Sequence, residues 1–182
     1  MGFARAKFIA LLTTRLHRVV MLIDALGFSM KWLELKIPPP IVALLCAAGM
    51  WIIANNTPHY STTPITKWGF VIFFILVGAT FDIAGLLEFH RHKTTINPLH
   101  PEKSSALVRG GVYKITRNPM YCGMVAFLLA WMSFLENSTT LICVVIFMLY
   151  ITQFQIKPEE RMLEKIFGDD FLDYQQRVRR WL

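Results

Sequence analysis

The chain is poor in charge and in cysteine. Asp, Glu, Lys and Arg supply only 17% of its 182 residues, against 54% hydrophobic residues. A soluble domain carries roughly a quarter charged residues, so neither a soluble globular domain nor a disordered chain is expected. Three cysteines (Cys46, Cys122 and Cys143), an odd number lying in apolar stretches, argue against a disulfide framework and fit reduced, buried thiols. No Gly-rich Rossmann fingerprint is present. Arg15 and Arg18 interrupt the first apolar run, so no secretory signal peptide is expected.

What is present is a series of apolar blocks with basic residues between them, and a mean hydropathy of +0.44. The blocks are long enough to cross a bilayer, which makes an integral membrane protein the expected class. The net charge of +7 flanks those blocks. It is read as membrane topology and affinity for anionic headgroups, with no nucleic acid partner.

Residues 1–36 form a basic amphipathic segment, with Phe8, Leu12, Leu16, Val19, Ile23 and Leu26 spaced by threes and fours. An interfacial helix is expected, a short first core helix being the alternative. Residues 37–89 hold two expected transmembrane helices, one opened by Pro38-Pro39-Pro40 and a second over 68–89. A long polar loop follows, 90–118, of a length that is usually functional. Two further apolar blocks, 120–135 and 139–155, are parted only by Glu136-Asn137-Ser138 and read as a helical hairpin. From Lys157 onward Leu163, Phe167, Phe171, Tyr174, Val178 and Trp181 give one apolar stripe, predicting a C-terminal amphipathic helix. The fold class is therefore all-α integral membrane, with about four transmembrane helices between two amphipathic ones. Residues 90–182 are taken as the functional core.

Lys and Arg number six before the first span, one (Lys67) in the 55–67 loop, six in 91–118, none in 136–138 and six in the tail. That alternation predicts both termini and the long loop on the cytoplasmic side. Loop and tail would then share one face.

Asn118-Pro119 opens a helix whose free N–H groups favour an anion such as a carboxylate. Glu159-Glu160 places paired negative charge by the other helix of the hairpin. A zwitterionic cofactor carrying both a carboxylate and a cationic centre would suit the pair, and S-adenosylmethionine is such a molecule. Plainer readings stand beside this one. Paired glutamates at a helix start complement its dipole. Asn-Pro is a common cap, and Tyr113 and Tyr121 could be belt aromatics. The bases at 177–180 read as headgroup contacts. Asp82, a carboxyl within a span, is a functional candidate or a buried hydrogen-bond partner. Glu88, His90 and His92 alternate sides of a helix, so no metal is expected.

Leu107 to Gly123, with Pro158-Glu159-Glu160, Phe167-Gly168 and Tyr174, resembles the isoprenylcysteine carboxyl methyltransferase family and the related membrane phospholipid methyltransferases. The resemblance implies methyl transfer from S-adenosylmethionine to a lipophilic acceptor drawn from the bilayer. It carries cofactor contacts onto Ser105, Ala106, Leu107, Val108, Tyr113, Asn118, Pro119, Met120, Tyr121 and Glu159. Arg117, Gln155 and Glu160 are the candidates for orienting the acceptor. Two positions depart from the family pattern: Asn118 stands where His is usual, and Gln155 where the eukaryotic enzymes have Arg. A carboxylate acceptor is favoured and an amine is possible, in a bacterial inner membrane. An NADPH-dependent membrane reductase and a non-catalytic scaffold are the alternatives.

Overall fold

The computed structural model describes residues 33–92 and 107–182. The expected amphipathic segment as far as residue 32, and the candidates Ser105 and Ala106, lie outside the described residues. All elements below belong to the unit Glu34–Leu182.

Helix α1, Pro39–Asn56, begins with two prolines in its first turn, where the missing N–H groups would lack partners anyway. Helix α2, Pro64–His92, starts beside Thr63, whose Oγ1 accepts the Thr66 N–H at 3.3 Å as an N-cap. Helix α3, Pro119–Leu135, ends at Glu136 in the left-handed conformation. After a 3-10 turn at Ser138–Thr140, α4 covers Leu141–Ile151. A π-helical segment, Thr152–Ile156, joins it to α5, Lys157–Phe167. The last helix, α6, is Asp169–Arg177.

Three stretches are long and apolar enough to span a bilayer: Pro39–Asn56, Pro64–Arg91 and Ser138–Phe167. Pro119–Leu135 is a shorter apolar helix. At 17 residues it is about 25 Å long. Leu44, Trp51, Phe73, Leu76, Ile142 and Ile146 are all more than half exposed. That is unfavourable in water and favourable in lipid. The chain is an all-α integral membrane protein.

The expected hairpin is present, but its second arm does not stop at residue 155. It runs through the π segment to Phe167, so Glu159 and Glu160 sit on the spanning helix itself. Pro158 supplies the physical reason for the irregularity. Within a helix its ring crowds the carbonyl four residues back and offers it no N–H. That carbonyl, on Phe154, instead accepts the Leu35 N–H at 3.0 Å. The widened turn takes up the crowding.

The expected single C-terminal helix is corrected to two. Gly168 has φ +54 and ψ −130, which no helix continues through and which glycine adopts readily. Val178, at the end of α6, has an extended backbone. Thr116 and Arg179 form an isolated parallel β-bridge.

The core gathers Val42, Met50, Leu128, Val144, Phe147, Ile151 and Ile156 from α1, α3, α4 and the π segment, with Tyr121 at its edge. Trp131 ties α3 to α1, its indole N–H donating to Ala47 O at 3.1 Å. Helices α2 and α3 approach closely at Gly78 and Gly123, and Gly85 admits Met120, Pro119 and the Tyr113 hydroxyl. Small residues permit such contact between spanning helices.

Candidate active site

The first turn of α3 and the first turn of α5 meet at one point. Tyr121, buried, donates its hydroxyl to Glu159 Oε1 at 2.6 Å. Gln155 Nε2 reaches the same oxygen from the π segment at 2.9 Å. Both donors are neutral, and among the described residues no Lys or Arg forms an ion pair with Glu159. Its carboxyl is thus held by hydrogen bonds alone.

Glu160, the next residue, is used differently. Arg117 Nη2 donates to its Oε1 at 2.6 Å, and Arg180 Nη2 to its Oε2 at 2.5 Å. Arg117 and Glu160 are nearly enclosed, each side chain 11% exposed. Two guanidinium groups share one carboxylate, which leaves one positive charge over. Arg117 Nε is buried without a hydrogen-bond partner among the described residues. This surplus positive charge stands beside the N-terminus of α3, whose dipole has the same sign. The two ends of the site thus carry opposite electrostatic character within a few residues.

The sequence motif before α3 is folded against the tail. Arg117 N–H donates to Arg179 O at 2.9 Å, and Arg117 Nη1 to Val178 O at 2.6 Å and Gln175 O at 3.1 Å. Asn118 Nδ2 donates to Arg180 O at 2.9 Å. Thr116, fully buried, donates to the same carbonyl at 3.1 Å and accepts the Asn118 N–H at 3.2 Å. Trp181 closes the joint by donating to Thr152 Oγ1 at 3.2 Å.

Tyr113 lies in the 3-10 turn Gly111–Lys114. Its ring meets Phe89 edge-on at 5.6 Å, and its carbonyl accepts the Tyr174 hydroxyl at 2.7 Å. Burial, first, and then the neighbouring Tyr174 and the carboxylates of Glu159, Glu88 and Asp82 hold its phenol well above the ordinary range. Tyr113 therefore remains neutral at any physiological pH. Burial likewise raises Tyr174.

Of the expected site residues, Tyr113, Arg117, Asn118, Pro119, Met120, Tyr121, Gln155, Glu159 and Glu160 are brought together around the starts of α3 and α5. Val108 is buried and Leu107 partly so, at the lead-in to the Tyr113 turn. The reading of the terminal bases as headgroup contacts is corrected for Arg180, which turns inward onto Glu160. No spacing signal separates it from Arg179. Thr116 was also missed, and Tyr174, quoted in the motif, was given no partner, since a lone hydroxyl says nothing in sequence about what it bonds. Asp82 Oδ1 is buried with no hydrogen-bond partner among the described residues. It lies against Gly123. Among the same residues no three His, Cys, Asp or Glu side chains gather as metal ligands.

The family model for phospholipid methyltransferases matches residues 66–170, which takes in α2, α3, α4 and α5. An uncharacterized protein of Haemophilus influenzae is 51% identical over 63 residues, 35% of this chain and 100% of its own length. Protein-S-isoprenylcysteine O-methyltransferase A of Arabidopsis thaliana is 27% identical over 114 residues, 63% of this chain and 57% of its own. Protein-S-isoprenylcysteine O-methyltransferase B of the same plant is 27% identical over 104 residues, 57% of this chain and 53% of its own. The chain thus spans just over half the length of the two plant enzymes. No solved structure matches it. The chain belongs to the phospholipid methyltransferase family.

Proposed function

We propose that this protein transfers a methyl group from S-adenosylmethionine to a lipophilic acceptor at the cytoplasmic face of a bacterial inner membrane, with both termini on that face. The observation that carries the reading is the pairing of opposite electrostatic ends at the Tyr121–Glu159 joint. Glu159, which has no ion-pair partner among the described residues, would offer its carboxyl to a cationic centre. The α3 N-terminus, with the surplus positive charge of Arg117 and Arg180, suits the cofactor's carboxylate. The residues present therefore fit the cofactor, which when bound supplies an electrophilic methyl group on a sulfonium.

The protein's part is binding, alignment and exclusion of water. Displacement at a methyl carbon needs the acceptor atom in line behind it, and positioning does much of the work. Tyr121 and Gln155 hold Glu159 in one orientation through the hydrogen bonds to Oε1. Leu107, Val108, Pro119, Met120 and Tyr113 form the proposed apolar and aromatic wall. Gln155 is our candidate for orienting the acceptor. Arg117 and Glu160 act through their fixed ion pair. A carboxylate acceptor, with an unperturbed pKa of about 3.5, is already ionised and needs no base. We favour it over an amine, which must first lose a proton. The relatives that carry names are O-methyltransferases acting on protein-S-isoprenylcysteine, and the matching family is described by phospholipids. Both descriptions support a lipophilic acceptor.

Calorimetric titration of the detergent-purified protein tests the reading. S-adenosylhomocysteine is expected to bind and NADPH is not. Binding of NADPH alone would indicate a reductase, and binding of neither would end the enzyme reading. Glu159→Ala is expected to weaken S-adenosylhomocysteine binding without unfolding the protein. An unchanged affinity would remove Glu159 from the site.

A further inference from the structure

Arg177, Arg179 and Arg180 look alike in the sequence, yet their surroundings differ. Arg177 is exposed and reaches Asp173 within α6 at 3.5 Å. Arg179 is exposed and meets the bundle through its backbone, its carbonyl accepting the Arg117 N–H. Arg180 forks onto Glu160, Nε to Oε1 at 3.1 Å and Nη2 to Oε2 at 2.5 Å. Its carbonyl takes the Thr116 hydroxyl and the Asn118 amide, at 3.1 and 2.9 Å. Arg180 therefore joins Arg117 in fastening α5, through Glu160, to the lead-in of α3, which it reaches through Thr116 and Asn118.

We infer that Arg180 is a positioning residue of the cofactor site, setting the mouth of α3 against the Glu159 carboxylate. The inference rests on the cofactor reading proposed above. Glu159 and Glu160 are consecutive on one helix, so fixing the Glu160 carboxylate fixes the rotation of α5 about its axis. That rotation decides where Glu159 points. Two parallel N–H···O bonds from a planar guanidinium resist such rotation. A single ammonium, a point charge on a flexible stem, does not. The competing account makes the terminal bases interchangeable attractors of anionic headgroups. It predicts equal effects at 179 and 180.

The test uses the whole protein in detergent, with S-adenosylhomocysteine titrated well below the melting midpoint. Arg179→Ala is expected to bind as the wild type does. Arg180→Ala is expected to bind at least about tenfold more weakly. Arg180→Lys, which keeps the charge and loses the fork, is expected to weaken binding comparably. It also decides the matter if the alanine variant does not fold. Equal affinities at 179 and 180 would overturn the inference while leaving the cofactor reading intact. So would an Arg180→Lys variant that melts earlier but binds normally, because that is a purely structural role. A wild type that fails to bind would remove both.

Discussion

Gly78 on α2 and Gly123 on α3 face each other so closely that a Cβ added to either would stand 3.0 Å from the other's carbonyl oxygen. At Gly123 it would also strike the Asp82 carboxylate. Gly123→Ala must therefore push α2 and α3 apart. Overpacking of this kind costs about 1–3 kcal/mol. A lower melting temperature in detergent is expected, partly restored by adding Asp82→Ala. Gly69, with nothing within 4 Å of an added Cβ, gives the opposite sign. Gly69→Ala should stabilise α2 by roughly 0.5–1 kcal/mol.

Removing the Tyr121 hydroxyl isolates one strut of the proposed site. Tyr121→Phe keeps the ring in the core and deletes the 2.6 Å bond to Glu159. Hydrogen bonds to charged groups contribute about 1.5–3 kcal/mol. The variant is expected to melt earlier and to bind S-adenosylhomocysteine about tenfold more weakly. Unaltered binding would detach Tyr121 from the cofactor.

At the far end of the bundle Glu136 caps the hairpin turn. Its Oε1 accepts the Thr62 hydroxyl at 2.6 Å and the Thr62 N–H at 3.0 Å, and Lys67 stands 3.3 Å from Oε2. Those bonds, the Thr62 hydroxyl first, hold the carboxyl below its usual pKa. A group depressed on folding stabilises the fold above its unfolded pKa, about 4.3 for Glu. The contribution disappears as pH falls through the folded value. Melting curves of the wild type and Glu136→Gln should differ most at neutral pH and converge only once the pH has fallen past the unfolded value and through the lower folded one. A gap that stays constant with pH would show that the carboxylate charge contributes nothing there.

Gly168 separates α5 from α6 at φ +54 and ψ −130, and space around it is open. An alanine there meets no neighbour and is still strained by its backbone, at a cost of order 1–3 kcal/mol. Gly168→Ala is expected to lower the melting temperature by that mechanism alone. A neutral result would mean that the turn relaxes without it.

The spans were legible because bilayer thickness imposes long apolar blocks, and the prolines and Glu136-Asn137-Ser138 mark where they stop. The meeting of Tyr121 with Glu159 was legible too, through motif order. The tail was not. Leu163 to Trp181 keeps a helical period across Gly168, and periodicity is blind to one backbone angle. The resemblance gave Glu159 and Glu160 separate roles, but the physical basis of their division was hidden. It depends on Arg180, which a linear reading cannot tell from Arg179.

The irregular turn over Thr152–Ile156 has a geometric corollary. Winding the same five residues as regular α-helix would swing every side chain beyond them by roughly a quarter turn. Glu159 would leave Tyr121, and Glu160 would leave both arginines. The fault in pitch is what assigns two adjacent, chemically identical acids to different neighbours.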